Sequence, residues 1–395
     1  MELAELMTLR PEPGAGLLLT VTGRCPLHCA HCSTAATMAA DEPDADRLRA
    51  FVSTFTPAEH PAVLMMTGGE PLLRPELVTD LAATARAAGT RTALLTGAFF
   101  VGRADHGAGH LASGAGPLPA PVPDSAPVPV PVPERIWRAA TSVDHFSVSL
   151  DAFHEREVDR RSVFGLIRRV LDAGVATSFH LVGTGPDDPY LADVTADIRR
   201  TFGDRVPMLV NSLRRVGRAA SWAAANTALP GAALPIAAAP DPERALPCSM
   251  AAWPVVAADG TVVACCNQRV VDRRPAPRHL TLGHIATDDW QSVAVGARTS
   301  PVLRMIRTVG PAHLLHRYGG AEQATAPPDY CAGCRALGDH PEALAAASAA
   351  ASGPVGALLD RYAARGQVEA GAATLVRRHG CAPYADLVDL PGARR

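Results

Sequence analysis

Three cysteines lie close together near the start of the sequence, at Cys25, Cys29 and Cys32 of the run CPLHCAHC. Three thiolates with this spacing are able to bind three irons of a four-iron cluster and leave the fourth iron without a protein ligand. A small molecule with an amine and a carboxylate is suited to chelate that open iron. Zinc is the alternative, because a structural zinc site needs four ligands and His28 or His31 would supply the fourth. The run does not match the ferredoxin spacing C-x2-C-x2-C-x3-C-P.

A second short motif, Gly68-Gly69-Glu70, follows an apolar run of strand length. Glycines allow the backbone to approach a ligand closely, and a carboxylate accepts hydrogen bonds from an ammonium group. These three residues are therefore predicted to bind a cofactor.

The remaining cysteines lie in the second half of the chain. The sequence contains nine cysteines and shows no basic-then-apolar signal segment at its N-terminus, so we expect a cytoplasmic protein. In that reducing compartment, cysteines indicate metal binding or catalysis rather than disulfides. The six further cysteines are Cys248, Cys265, Cys266, Cys331, Cys334 and Cys381.

Composition excludes several classes of function. Hydrophobic residues make up 48% and charged residues 19% of the 395 residues, which is typical of a globular chain. The formal net charge of -2 gives no basic surface, so nucleic acid is not an expected partner. No apolar run is long enough to span a bilayer, so no membrane partner is expected either.

The elements that position these motifs alternate between strands and helices. Six apolar runs of strand length are separated mostly by segments with helical spacing, which predicts an α/β fold with a parallel, barrel-like (β/α)6 sheet. The loops after the carboxyl ends of such strands carry the chemistry. The predicted strands are Gly14–Thr22, Ala62–Met66, Thr92–Leu95, His145–Leu150, Ala176–Val182 and Val206–Val210, and the main predicted helices are Ala45–Phe55, Glu76–Ala88, Val163–Ala173 and Leu191–Phe202.

The two motifs together resemble those of the radical S-adenosylmethionine (SAM) superfamily. The C-x3-C-x2-C spacing after a first strand resembles its cluster signature, and Gly-Gly-Glu after the second strand resembles the motif that binds the methionine amino group. The resemblance implies a partial TIM-like barrel, a [4Fe-4S] cluster on Cys25, Cys29 and Cys32, and SAM as cofactor. It also implies a flavodoxin- or ferredoxin-type electron donor. His31 occupies a position that is usually aromatic in the family, beside the cofactor.

The second set of cysteines resembles the auxiliary-cluster region of SPASM and twitch relatives. The run WPVVAADGTVVACC has an Asp-Gly turn between two apolar segments, which predicts a β-hairpin. The resemblance implies an auxiliary [4Fe-4S] cluster on Cys248, Cys265, Cys331 and Cys334, with zinc as the alternative. Adjacent residues on a strand point to opposite faces, so Cys266 is not expected to share this cluster. Cys266 and Cys381 are then either small buried hydrophobes or hydrogen-atom donors to a substrate radical.

Other polar residues follow the fourth and fifth strands. The resemblance places Ser149 and Asp151 at the ribose-contacting position, although a helix cap explains both equally well. His154 and His180 are candidates for substrate contact or proton transfer, and a satisfied structural histidine is the alternative. Gly217-Arg218-Ala219 resembles a turn of relatives with a C-terminal cluster domain.

The predicted organisation has four parts. Residues 1–220 form the barrel, with a Gly/Pro-rich insertion at 101–133; residues 221–244 form a linker; residues 245–340 form a small α+β auxiliary-cluster domain; and residues 341–395 form alanine-rich C-terminal helices.

The predicted function is radical modification of a ribosomally made precursor peptide, by crosslinking or epimerisation. A radical SAM dehydrogenase or epimerase acting on a small aminocyclitol or sugar is the alternative. A third hypothesis is an electron-transfer protein with a decayed radical site; the intact cysteine motif and Glu70 argue against it.

Overall fold

A computed structural model of the chain describes residues 1–102, 127–225, 241, 243–319 and 329–393. Most of the predicted insertion, and residues 226–240 and 242 of the predicted linker, lie outside the described residues. Residues 221–225 of the predicted linker belong to a helix, Arg218–Ala225.

The strands form one sheet in which β1 to β6 are all parallel, in the order β6-β5-β4-β3-β2-β1. All six predicted strands are present, and the prediction of a barrel-like parallel sheet is confirmed. The described strands are β1 Gly16–Thr22, β2 Val63–Gly68, β3 Arg91–Thr96, β4 His145–Leu150, β5 Ala176–Gly183, β6 Met208–Ser212, β7 Val255–Val256, β8 Thr261–Val263 and β9 Thr281–His284.

The predicted hairpin is formed by β7 and β8, and it extends the same sheet. Strand β7 pairs in parallel with β1, through Leu18↔Val255, and β8 pairs antiparallel with both β7 and β9. The second cysteine region is therefore hydrogen-bonded directly to the barrel strand that leads into the first cysteine motif.

The helices pack on both faces of the sheet. They are α1 Leu3–Thr8, α2 Ala45–Val52, α3 Pro75–Ala87, α4 Glu134–Thr141, α5 Arg160–Asp172, α6 Pro189–Phe202, α7 Arg218–Ala225, α8 Gln268–Val271, α9 Trp290–Thr299, α10 Pro301–Thr308, α11 Pro311–Tyr318, α12 Tyr330–Ala336, α13 Pro341–Ala351 and α14 Pro354–His379.

One face of the sheet packs against the crossover helices. Leu64, Leu94 and Phe146 on successive strands are fully buried in this layer, as the alternation of side chains along a strand requires. Phe164 of α5, Phe179 of β5 and Phe202 of α6 make edge or tilted ring contacts there. Periodicity therefore placed these helices correctly because each buries one apolar stripe.

The opposite face packs against both ends of the chain. Val63 and Ala93 point into a cluster with Leu6 of α1, Trp253 and Leu375 of α14. The C-terminal helices are as alanine-rich as predicted, and α14 contains a break at Gly371, whose φ is 80°. Among the described residues no single helix is long and apolar enough to cross a membrane. The bent pair Pro341–Ala351 and Pro354–His379 has the required length and composition only when its two helices are taken together.

Buried ion pairs hold the outer elements in place. Arg307 of α10 bonds the carboxylate of Asp360 in α14 (2.6 Å), and both residues are buried. Arg160 at the start of α5 bonds Asp193 of α6 (2.7 Å) and also Glu155 in the loop after β4. The second network fixes the loop that carries Asp151 and His154.

Candidate active site

The first cysteine motif forms a loop directly after β1. Cys29 is buried, whereas Cys25 and Cys32 are half-buried, and all three are free thiols. Burial, together with the charges of Glu70 and Cys32, raises the pKa of Cys25 to about 11. Burial also raises the pKa of Cys29, to which the charges of Asp151, Cys32 and Cys25 contribute. The three thiols are thus close enough for the charge of one to raise the pKa of another. In the metal-free chain Cys25 and Cys29 therefore stay protonated at pH 7, and metal binding would release their protons.

The far edge of the sheet closes on this loop. Arg218, after β6, donates to the carbonyl oxygens of Cys29 (2.9 Å) and Ala36 (2.6 Å), and its amide donates to Cys32 O (2.9 Å). Gly217 has φ 57°, and a Cβ there would lie 2.4 Å from Cys32 O. The role of this turn, which the sequence left open, is thus at least structural: it fixes the backbone that carries the thiols.

The Gly-Gly-Glu loop lies against the backbone that leads into Cys25. The amide of Gly69 donates to Thr22 O and that of Glu70 donates to Arg24 O, both at 2.7 Å. A Cβ at Gly69 would lie 2.2 Å from Arg24 O, and one at Gly68 would lie 2.3 Å from Thr22 O. Both glycines are therefore required by contact with the chain itself, in addition to the ligand approach that the sequence predicts.

The Glu70 carboxylate is fully buried and joins the ends of β2 and β3. Its Oε1 accepts from the Leu72 amide (3.0 Å) and the Thr96 hydroxyl (2.8 Å), and its Oε2 accepts from the Gly97 amide (2.8 Å). Burial raises its pKa from 4.5 to about 7, although these three hydrogen bonds oppose the rise. Sequence reasoning identified Glu70 but not its partners Thr96 and Gly97.

The loop after β4 continues this network back to the cysteines. His154 Nε2 donates to Gly97 O (2.7 Å), and Asp151 Oδ1 accepts from the amides of Phe153 and His154 (both 2.9 Å). Asp151 Oδ2 lies 2.9 Å from His31 Nε2. Asp151 therefore caps its own loop and binds the cysteine loop, so the capping role that the sequence allowed is present.

Charge and stacking fix His31 in this position. Burial alone would raise the pKa of Asp151, but the charge and hydrogen bond of His31 hold it below its ordinary value. The His31 ring stacks on Phe153, with ring centroids 5.0 Å apart. The Nδ1 atoms of His31 and His154 are buried and have no hydrogen-bond partner among the described residues.

Ser149 and His180 lie on the sheet face opposite the crossover helices. They are register partners on β4 and β5, so their side chains share one face. Asn211 Nδ2 donates to His180 Nε2 (2.7 Å), and burial lowers the pKa of His180 to about 4, so the imidazole is neutral at pH 7. The sequence did not identify Asn211.

The second cysteine set is brought together from three separate segments. Cys248 precedes β7, Cys265 follows β8, and Cys331 and Cys334 lie on α12. Burial raises the pKa of all four thiols, with that of Cys331 at about 11, and the charges of Cys265, Cys248 and Cys331 act on Cys334. The four predicted ligands are thus neighbours in the fold.

Cys266 and Cys381 lie in different places. The prediction that Cys265 and Cys266 share a strand is wrong, because β8 ends at Val263. Cys266 lies beside the second cysteine set, because its charge contributes to the raised pKa of Cys265. Cys381 is 1% exposed, its amide donates to Val210 O of β6 (2.9 Å), and its thiol is hydrogen-bonded to Ser212.

The donor sets are those that iron–sulfur clusters require. The described residues contain no group of three or more His, Cys, Asp or Glu side chains converging on one metal ion. A four-iron cluster makes a different demand, since each thiolate binds its own iron. Three free thiols on one loop and four free thiols at the second position fit that demand.

Comparison with known proteins finds a family match that covers the first cysteine motif. Residues 19–107 match the profile of the Radical SAM superfamily, a segment that contains both the cysteine loop and the Gly-Gly-Glu loop. Residues 19–107 therefore form a radical SAM domain.

The chain is also similar to particular proteins. It is 38% identical over 84 residues to a PqqA peptide cyclase of Streptomyces rochei, a match that covers 21% of this chain and only 22% of that relative. The solved structure of SuiB from Streptococcus suis bound to S-adenosylmethionine superposes with a TM-score of 0.47 at 13% identity, covering 78% of this chain and 75% of SuiB. That of anSMEcpe bound to AdoMet and the Cp18Cys peptide gives 0.42 at 12% identity, over 85% of this chain and 99% of that one.

Gly69→Ala is expected to destabilise the fold and weaken SAM binding, since the new methyl would contact Arg24 O and push the cysteine loop outward. Overpacking of this kind costs about 1–3 kcal/mol. Gly185→Ala is the matched control, because a Cβ there has no atom within 4 Å. Urea unfolding and equilibrium dialysis with SAM measure both effects. Equal behaviour of the two variants would show that the Gly69 contact does not constrain the site.

Proposed function

We propose that this chain is a radical SAM enzyme that modifies a ribosomally made peptide, by crosslinking or epimerisation, and uses a second iron–sulfur cluster in doing so. The observation that carries the peptide substrate is the 38% identity over 84 residues to a PqqA peptide cyclase. An electron donor of the flavodoxin or ferredoxin type would reduce the first cluster, in keeping with the cytoplasmic location that we propose.

At the first centre, Cys25, Cys29 and Cys32 would hold a [4Fe-4S] cluster and the Gly68-Gly69-Glu70 loop would hold the methionine part of SAM. When bound, this pair supplies a 5′-deoxyadenosyl radical. The chain's own contribution is positioning: Arg218 holds the cysteine loop against β6, and Glu70 holds the SAM loop against β3. Positioning of this kind converts a reaction between separate molecules into one within a single site.

At the ribose position we assign Ser149 and the Asp151–His31 pair. The pair supports this role because it joins the cysteine loop to the end of β4 at 2.9 Å. Ser149 and His180 share the opposite sheet face. Because Nε2 of neutral His180 accepts from Asn211, the ring proton lies on Nδ1, which is able to donate it. His154 acts through the Gly97 carbonyl, so we expect it to position the β3 loop.

The second set, Cys248, Cys265, Cys331 and Cys334, would hold an auxiliary [4Fe-4S] cluster. Its support is the convergence of four free thiols from three segments. Of the two remaining cysteines, half-buried Cys266 is the better placed hydrogen-atom donor, and Cys381 is the weaker one because it is 1% exposed.

The test is anaerobic turnover of the reconstituted enzyme with dithionite, SAM and a short peptide encoded beside its gene. Formation of 5′-deoxyadenosine together with peptide that has lost two hydrogens indicates a crosslink. Unchanged mass with deuterium taken up from solvent indicates epimerisation. If only an aminocyclitol or sugar stimulates cleavage, the enzyme acts on small molecules and the peptide proposal is wrong.

A further inference from the structure

Arg10, directly after α1, is a buried arginine next to the second cysteine set. It is 6% exposed, and its guanidinium lies 4.5 Å from the centroid of the Trp253 ring. Its Nη2 contacts Cys266 Sγ and Met250 Sδ, both at 3.4 Å. The sequence gives no signal for this residue, because it lies far along the chain from the cysteines.

The charge of Arg10 is not paired within the described residues. No carboxylate of the described chain lies within ion-pair distance of it, in contrast to buried Arg160 and Arg307. Its Nη1 is buried and has no hydrogen-bond partner there. A buried, unpaired guanidinium is costly, so a counter-anion is required at this place.

The contacts of Arg10 indicate which anion would balance its charge. Cys266 is the next residue after Cys265 in the chain. Met250 lies two residues after Cys248, and the Met250 amide donates a hydrogen bond to the Cys248 sulfur. Arg10 therefore touches the two segments that supply half of the second cysteine set. A four-iron cluster with four thiolates is an anion, and its negative charge grows by one on reduction.

Other groups confirm that the surroundings are positive. Burial lowers the pKa of His379 to about 4, and the charges of Arg378, Arg214 and Arg10 lower it further. Arg10 is the buried member of this group, so its field is the least screened by solvent.

We propose that Arg10 is the buried counter-cation of the auxiliary cluster and raises its reduction potential. The inference rests on the proposed cluster at the second cysteine set. In the step that this charge would favour, a substrate-centred carbon radical would give one electron to the bound cluster. The oxidised carbon would then release a proton to solvent, and the cluster would take up the electron without a proton. A fixed positive charge stabilises the more negative, reduced form.

The experiment uses the full chain with Cys25, Cys29 and Cys32 all replaced by alanine, so that only the second set can bind iron. Midpoint potentials are measured by EPR-monitored titration for this parent chain and for the same chain with the further substitution Arg10→Met. This substitution keeps the packing on Trp253 but removes the charge. Arg10→Met is expected to shift the reduction equilibrium about tenfold towards the oxidised form, which is 59 mV for one electron. Arg10→Lys should stay close to the parent, and so should Arg47→Gln, whose exposed side chain lies on α2.

The outcomes separate this inference from the proposed function. If the parent binds no iron and sulfide, the auxiliary cluster is wrong and the role of Arg10 falls with it. If the parent binds a cluster and Arg10→Met leaves its potential unchanged, only the counter-cation role is wrong. Should Arg10→Met lose its fold by circular dichroism, Arg10→Gln replaces it, and the same shift is required.

Discussion

Cys29→Ala is expected to abolish SAM cleavage and to halve the bound iron. Cys29 is the buried member of the first motif, and Arg218 fixes its carbonyl, so no other thiol can take its position. Removal of a partner outside the metal shell typically costs about 10–100-fold, and loss of a direct ligand should cost more. Iron and sulfide analysis should show about eight irons per chain falling to about four. Formation of 5′-deoxyadenosine after reduction measures cleavage.

Ser33→Ala is the matched control for this variant. Ser33 lies on the same loop, next to Cys32, and its side chain is exposed. It should keep full iron and full cleavage. Full cleavage by Cys29→Ala would overturn the assignment of the first cluster.

Glu70 should produce the second large effect, in stability as well as in activity. Glu70→Ala leaves three donors without their acceptor: buried groups on Leu72 and Thr96, and the half-buried amide of Gly97. Each unsatisfied group costs about 1–3 kcal/mol, so the variant should be strongly destabilised and lose SAM cleavage. Glu70→Gln keeps one carbonyl oxygen and should be affected less.

The same carboxyl should make stability depend on pH in the metal-free chain. Its pKa is 4.5 in the ordinary case and about 7 in the fold, so the folded state holds the proton more tightly. Its contribution is complete below pH 4.5 and is lost as the pH rises through 7. That loss amounts to about 3 kcal/mol. Urea unfolding at about pH 5 and about pH 8 should show it in the wild type and not in Glu70→Gln. An equal pH dependence in both chains would show that Glu70 is not its source.

His31 and Asp151 form a pair between the cysteine loop and the loop after β4. From the sequence, each was a separate contact to the cofactor; in the fold they bind each other at 2.9 Å. Together with Glu70, Gly97 and His154 they connect the ends of β2, β3 and β4 to the cysteine loop. A change at any of these positions therefore moves the others.

The sequence by itself determined the features that depend on neighbouring residues. The three thiols of the first motif share one short loop, so their spacing alone places them together. The six parallel strands follow from apolar runs separated by helical periodicity, and the β7–β8 hairpin follows from its Asp-Gly turn. The order of motifs along the strands then placed the Gly-Gly-Glu loop beside the cysteine loop.

Only the tertiary structure decided which distant residues meet. Strand order brought the turn at Gly217-Arg218 onto the cysteine loop, although β6 and β1 lie at opposite ends of the six parallel strands. The fold brought α12 next to Cys248 and Cys265, and it placed Arg10, after α1, beside Cys266. Such contacts depend on register and on side-chain direction, and neither is encoded in local periodicity.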